Sequence, residues 1–432
     1  MTIVHIVPGS GGGFYCQNCV RDIGLAKALR RVGHDVMFVP MYLPFMETPD
    51  EDCIARSPVF YGAIHLYLAQ KMPGFRRLPA FMRRWFDAPS LLRWAAGKAG
   101  TTQANGLGDL TLSVLQGREG RQRDDLDRMI AWLKTQPSPD IVHFSNALLL
   151  GLAPAMRAAF GSRIVCTLQD EDTWLDALTP PWRERCWAAV RDLSRNVDLF
   201  VPVSDTYAAK AKTFLHLPEA NCETIRIGID IETLTPSSDP PSVPTLGFLS
   251  PLQPHTGLHV LLDAFLKLKR MPELASLRLR VAGGNIAANT PYLRALRQTI
   301  AESGQDDAIE CLDAHRQPQR GEFLRSLSVL SVPAVQPEAF GLFLIEAMAC
   351  CVPVVQPRLG AYPEIVAATG GGVIYDNTAP QGLADALYPL LTDRETARRY
   401  GQTGRNSVLE KFNVETMADA MLRAYRSLKK KY

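Results

Sequence analysis

Ile3-Val4-His5-Ile6-Val7-Pro8-Gly9-Ser10-Gly11-Gly12-Gly13 is a short apolar run that breaks into proline and glycine. Such a run, too short for a helix and closed by residues that turn the backbone, reads as a buried strand feeding a loop. Asp22 to Arg31 follows with the apolar spacing of an amphipathic helix, and Asp35 to Pro40 reads as a second buried strand. The pattern returns at Asp140 to Phe144, at Arg163 to Leu168 and at Asp198 to Val203. Strand and helix in regular alternation predict a parallel sheet covered by helices on both faces.

The stretch 235–245, Thr-Pro-Ser-Ser-Asp-Pro-Pro-Ser-Val-Pro-Thr, cannot lie inside a helix or a central strand and reads as an interdomain linker. Beyond it the alternation resumes. Leu246 to Leu249, Leu277 to Ala282, Ile309 to Leu312 and Val329 to Val332 read as strands, with helices over Leu258 to Lys269, Pro291 to Ser303 and Gly321 to Leu327. Residues 1–240 and 241–410 are therefore expected to form two doubly wound domains facing a cleft, with a final helix in 411–432. An insertion over about 45–135 is longer than a βα unit needs. Its part 71–98 carries seven basic residues against Asp87, interleaved with Phe75, Phe81, Trp85, Phe86 and Trp94. That face suits peripheral contact with an anionic membrane, an acceptor site, or a solvated surface over an aromatic core.

Composition excludes several classes. The 47 basic and 44 acidic residues leave a net charge of only +3, without the clustered basic excess of a nucleic-acid binder. No basic-then-apolar leader and no uncharged stretch of bilayer length is present, so a cytoplasmic protein, at most peripheral at the inner face of a membrane, is expected. Nine cysteines without disulfide spacing point the same way. The Cys16-Gln17-Asn18-Cys19 pair allows redox or zinc chemistry, but lacks a second ligand pair, so packing cysteines at a helix start are the preferred reading. His143 reads as a strand residue with a structural hydrogen bond.

Chemistry concentrates at Pro337-Glu338-Ala339-Phe340-Gly341-Leu342, followed by Glu346. A helix beginning near Gly341 would present free amides and a positive dipole end to a phosphate, with glycine permitting close approach. Glu338 before that helix suits sugar hydroxyls, and Glu346 within it suits a ribose diol. The glycines at 11–13 lack the G-x-G-x-x-G spacing, so no nicotinamide site is read there.

Glu338, Phe340, Gly341, Glu346, Ala347, Ala349, Pro353 and Val354, then Gly360, Pro363 and Glu364, stand in register with the signature of the retaining glycosyltransferases of family 4. Gly33-His34-Asp35-Val36, Asp140-Ile141-Val142-His143, Val203-Ser204 and Gly228-Ile229-Asp230 extend the resemblance over nearly the whole chain. It implies the GT-B fold, two Rossmann-like domains with the last helix packing back on the N-terminal one. It also implies sugar transfer from a nucleotide diphosphate-sugar to a small-molecule, glycan or lipid-linked acceptor, without metal or cofactor, a UDP-sugar being the commonest donor. By the same resemblance Glu338, Gln169 and Asp170 are the catalytic positions. Gly12, Gly13, Thr256, Ala339, Phe340, Gly341, Leu342 and Glu346 would hold the donor, and acceptor binding falls to the N-terminal domain.

Departures from the family pattern are informative. Pro251 stands at the usual Arg position and Thr256 at the usual Lys position, two cations that grip the diphosphate. Each charge-assisted hydrogen bond contributes about 1.5–3 kcal/mol, so their loss weakens donor binding on the order of a hundredfold unless His255, Arg316 or Arg320 substitutes. Gln169 replaces a His, and Asp170-Glu171-Asp172 after it suits an amine-bearing acceptor or, preferably, a helix cap. Cys351 replaces a Gly, which predicts local strain. These departures favour the alternative of a weak or inactive relative that binds a ligand or partner. An epimerase or phosphorylase of the same architecture has little support in the signature.

Overall fold

The computed structural model describes residues 1–9, 15–42, 59–61, 106–237, 241–284, 290–314, 316, 318–376 and 380–429. Gly11, Gly12, Gly13 and the basic aromatic stretch 71–98 lie outside them. The chain divides into two compact units: residues 1–13, 18–226 and 418–432 form the first, and 14–17 with 227–417 the second.

The first unit is built on β1 (Thr2–Val7), α1 (Gln17–Arg31), β2 (Asp35–Pro40), α2 (Gly108–Leu115), α3 (Arg123–Leu133), β3 (Ile141–Phe144), α4 (Ala153–Phe160), β4 (Arg163–Leu168), α5 (Glu171–Asp176), α6 (Trp182–Leu193), β5 (Leu199–Pro202) and α7 (Asp205–Leu215). Its five strands run parallel in the order β2-β1-β3-β4-β5. Helix α1 begins five residues before the expected Asp22, because Gln17, Asn18 and Cys19 lack the apolar spacing that betrays a helix. Every residue of β3 and β5 is buried, as strands covered on both faces require. Strand order reverses between β1 and β3, so the loops leaving those two strands flank the switch point where such sheets bind ligands.

The second unit contains β6 (Thr245–Leu249), α8 (Leu258–Lys269), β7 (Arg278–Ala282), α9 (Thr290–Ser303), β8 (Ile309–Cys311), α10 (Gln319–Arg325), β9 (Val329–Leu330), α11 (Leu342–Ala349), β10 (Val354–Pro357), α12 (Tyr362–Thr369), β11 (Gly372–Tyr375), α13 (Pro380–Thr392) and α14 (Arg394–Lys411). A last helix, α15 (Val414–Lys429), follows, with residues from Ala418 onward grouped in the first unit. The six strands are parallel in the order β11-β10-β9-β6-β7-β8, with the switch point between β6 and β9. The segments Ser250–Gly257 and Ser331–Gly341 therefore leave the carboxyl ends of the two central strands. Among the described residues no helix is long and apolar enough to cross a membrane.

Candidate functional site

Glu346 sits in α11, Leu-Phe-Leu-Ile-Glu-Ala-Met-Ala, all eight of whose residues are buried. A carboxylate in such a helix is costly unless its charge is met. It is met twice: Arg320 of α10 brings Nε to 3.1 Å from Oε1, as an ion pair lying off the hydrogen-bond line, and the Tyr15 hydroxyl donates to Oε2 at 2.7 Å. Burial still holds the Glu346 carboxyl above the usual range, opposed by the Arg320 charge and the Tyr15 bond. Tyr15 is itself fully buried and carries the Arg320 guanidinium 5.3 Å over its ring, with its backbone N–H donating to Gly283 O. Burial and the Glu346 charge raise its phenol far above its ordinary range.

Glu338, half-buried, lies before the helix. Its Oε2 accepts from Gln17 Nε2 at 3.2 Å, and Gln17 Oε1 accepts from the Leu342 N–H, the first amide of α11, at 2.6 Å. The Glu338 carboxyl is raised by desolvation, opposed by Gln17 and Tyr362. Gly341 caps the helix at φ 100°, a conformation closed to most side chains, and a Cβ there would meet the Tyr362 ring at 2.8 Å. The loop 358–361 closes over the Glu338 backbone, with Ala361 N–H donating to Glu338 O. The helix start expected at Gly341 is thus present, and it brings Glu338, Ala339, Phe340, Gly341, Leu342 and Glu346 together.

Sequence reading missed Tyr15 and Gln17, which group with the second unit and reach Glu346 and Glu338 across sequence separations of 331 and 321 residues. Their flanking of Cys16 was the available signal. Cys16 and Cys19 are both disulfide-bonded, which corrects the expectation of packing thiols. Among the described residues six further cysteines are free. Among the described residues no group of three or more His, Cys, Asp or Glu could hold a metal ion.

Thr256 is buried in the turn after β6, with its hydroxyl 2.9 Å from Pro251 O and 2.8 Å from Gln253 O. That hydroxyl serves its own loop. Cys351 adopts φ 61°, so the strain expected where a glycine is usual is present. A cavity of about 450 Å³, lined by Thr245, Arg278, Glu322 and Arg325 among others, opens at the amino ends of β6 and β7, the opposite end of the sheet from Glu338.

At its own switch point the first unit holds a different arrangement. Arg21 and Asp22, side by side on α1, are both buried and paired at 2.6 Å. Arg21 Nη1 donates to Gln169 Oε1 at 2.5 Å and Nη2 to Ser145 O, while the Ser145 hydroxyl donates to Asp22. Gln169 is thus engaged by Arg21. Asp170 follows at φ 58° and does not cap α5 with its side chain. Glu171 accepts from Ala147 N–H, Gln169 N–H and the Tyr207 hydroxyl, all outside α5, while Asp172 pairs with Lys210. Burial raises the Glu171 carboxyl despite those bonds. His143 stacks on His5 at 4.6 Å and bonds Tyr425 and Thr167, the structural role expected of it. Burial, then the Arg21 charge, lowers His5 to about 3, and burial lowers His143 well below its ordinary value.

Comparison with known proteins bears on this arrangement. The Glycosyl transferases group 1 family matches residues 232–407, and Glycosyltransferase Family 4 matches residues 110–233. Among curated relatives, D-inositol 3-phosphate glycosyltransferase of Corynebacterium urealyticum is 27% identical over 59% of this chain and 61% of its own length. That of Corynebacterium efficiens is 32% identical over 40% of this chain and 44% of its own. The chain thus spans less than two thirds of the length of these relatives. Sucrose-phosphate synthase from Thermosynechococcus elongatus superposes with a TM-score of 0.72 at 17% identity, covering 99% of both chains. Anabaena HepE in complex with UDP-glucose gives 0.67 at 16%, covering 99% of this chain and 100% of that one. Two parallel Rossmann-like sheets with these neighbours define the GT-B fold of glycosyltransferases. Within that class the chain belongs to glycosyltransferase family 4.

Proposed function

We propose that the protein transfers a sugar from a nucleotide diphosphate-sugar to an acceptor hydroxyl, with retention of anomeric configuration and without a metal. The pairing of Glu338 and Glu346 about the amino end of α11 carries this reading. In it, the amides of Phe340, Gly341 and Leu342 take phosphate oxygens, Glu346 takes the ribose diol, and Glu338 takes hydroxyls of the donor sugar. The Leu342 N–H already donates to a side-chain oxygen, that of Gln17, which supports its use toward a phosphate. The departing phosphate receives the acceptor's proton, so no enzymic nucleophile is required, and preorganised amides stabilise the charge that develops. Uridine is the favoured base, since relatives of the same fold are described in complex with UDP and UDP-glucose. The acceptor falls to the first unit, where Asp170 is held in a left-handed conformation of the kind that functional sites stabilise. Phosphorylated polyols head the acceptors to test, from the names of the curated relatives.

Calorimetry with UDP-, GDP- and ADP-sugars, then donor turnover by Glu338→Ala and Glu346→Ala, tests the reading. Binding that both substitutions abolish supports it, and failure of every nucleotide-sugar to bind overturns it. Binding without turnover across many acceptors favours a ligand-binding relative, the reading that Pro251 and the inward-turned Thr256 hydroxyl support.

A further inference from the structure

Helix α10 joins two places within the second unit. On one side of it Arg320 meets Glu346 at 3.1 Å. The helical repeat puts Glu322 and Arg325 on the opposite side, where both line the cavity of about 450 Å³ at the amino ends of β6 and β7. That volume is of the size that holds a small molecule. Arg278 and Arg280, alternate residues of β7 and so on one face of the sheet, complete a set of three guanidiniums around it. Arg280 is tied to Glu310 at 2.9 Å, whereas neither Arg278 nor Arg325 lies within ion-pair distance of a carboxylate among the described residues. The Arg278 charge is felt nearby, since the Lys269 ammonium is lowered by burial first and by Arg278 second. Glu322 is the one acid against three arginines among the described lining residues. The Thr245 and Ser326 hydroxyls donate to Val243 O and Phe323 O, so toward a ligand their oxygens accept, as Glu322 does. Guanidinium forks suit phosphate, and a group of acceptors suits hydroxyls.

We propose that this cavity binds a phosphorylated sugar or polyol, and that α10 carries its occupancy to Arg320. The phosphate is held between Arg278 and Arg325, and the ligand's hydroxyls donate to Glu322, Thr245 and Ser326. The site lies at the opposite end of the sheet from Glu338 and is distinct from the donor position. A phosphate that draws Arg325 into the cavity pulls α10 away from Glu346 and frees Oε1 for a ribose diol. That last consequence rests on the transferase reading above.

Calorimetry of the full chain with ribose 5-phosphate, inorganic phosphate and ribose tests this. Ribose 5-phosphate should bind about tenfold more tightly than either of the others. Arg278→Ala/Arg325→Ala should weaken its binding about tenfold or more, through loss of charge-assisted hydrogen bonds. Arg278→Lys/Arg325→Lys, which keeps the charge and loses the fork, should weaken it about threefold and serves if the alanine variant fails to fold. Glu322→Ala should weaken ribose 5-phosphate and tighten inorganic phosphate, because it removes both a hydroxyl acceptor and a repulsive charge. Ribose 5-phosphate binding that survives both arginine variants overturns the proposal, and so does inorganic phosphate binding as tightly as the sugar phosphate. Saturating ribose 5-phosphate should tighten UDP binding about fivefold. Unchanged or weaker UDP binding overturns the coupling through α10. Arginine-dependent ribose 5-phosphate binding with no UDP binding at all upholds the cavity and sinks the transferase reading.

Discussion

The two units place buried charge at the same point of the same kind of sheet and use it differently. In the first, Arg21, Asp22, Ser145 and Gln169 satisfy one another, and His5 and His143 stack beneath them as neutral rings. In the second, Glu346 shares Arg320 and Tyr15, while Glu338 is half-buried and accepts from the Gln17 amide. A closed network fixes a core, whereas carboxyls raised by desolvation and held by neighbours that a ligand can displace suit the donor site proposed above.

The largest effects should come from removing one charge on each side. Arg21→Ala leaves Asp22 buried without its cation, and Glu346→Ala does the converse to Arg320. Each is expected to cost about 3–5 kcal/mol in denaturant unfolding. Only Glu346→Ala should also abolish UDP binding. Loss of UDP binding in Arg21→Ala at native temperature would erase the distinction between the units.

Acid should separate the units next. His5 and His143 are depressed, so below about pH 6.5 the unfolded chain binds protons that the folded first unit refuses. Stability there is fully present above that pH and falls as pH drops toward about 3 for His5, by up to about 1.4 kcal/mol per pH unit for each ring. Glu171 opposes this in part, because its raised carboxyl gains stability on acidification. In the second unit Glu338 and Glu346 are raised and act in that favourable direction, with lowered His255 against them. Hydrogen exchange at pH 7 and 5 should show β1 and β3 losing protection while α11 keeps it. The reverse order would refute the assignment of neutral histidines to the first core.

Smaller effects sharpen the second unit alone. Pro251→Arg should tighten UDP binding about tenfold in calorimetry if the diphosphate lies beside the turn after β6, through one charge-assisted hydrogen bond. Unchanged affinity would put the phosphates elsewhere. Cys351→Gly should raise stability by about 1 kcal/mol in thermal unfolding, because the left-handed backbone at φ 61° suits glycine.

Sequence patterns revealed what is local. Arg163 to Leu168 and Leu258 to Lys269 coincide with β4 and α8, since composition and period leave no competing reading. Gly341 announced α11 because a glycine before an apolar run is a local signal. Arg21 and Asp22 were hidden, because adjacent polar residues on an amphipathic helix look solvated when they are in fact paired in the core. Tyr15 and Gln17 were hidden by distance along the chain, and the oxidation of Cys16 and Cys19 because spacing alone does not separate disulfide-bonded cysteines from packing thiols.

Tyr425, which bonds His143 within the first unit, is made 282 residues after it. At about 5–20 residues per second, a ribosome takes on the order of half a minute to supply it. Once β5 has been made, the nascent first unit has its five strands for most of that interval but lacks the helix that covers His143. Its window of exposure to chaperones is therefore set by the time needed to translate the whole second unit.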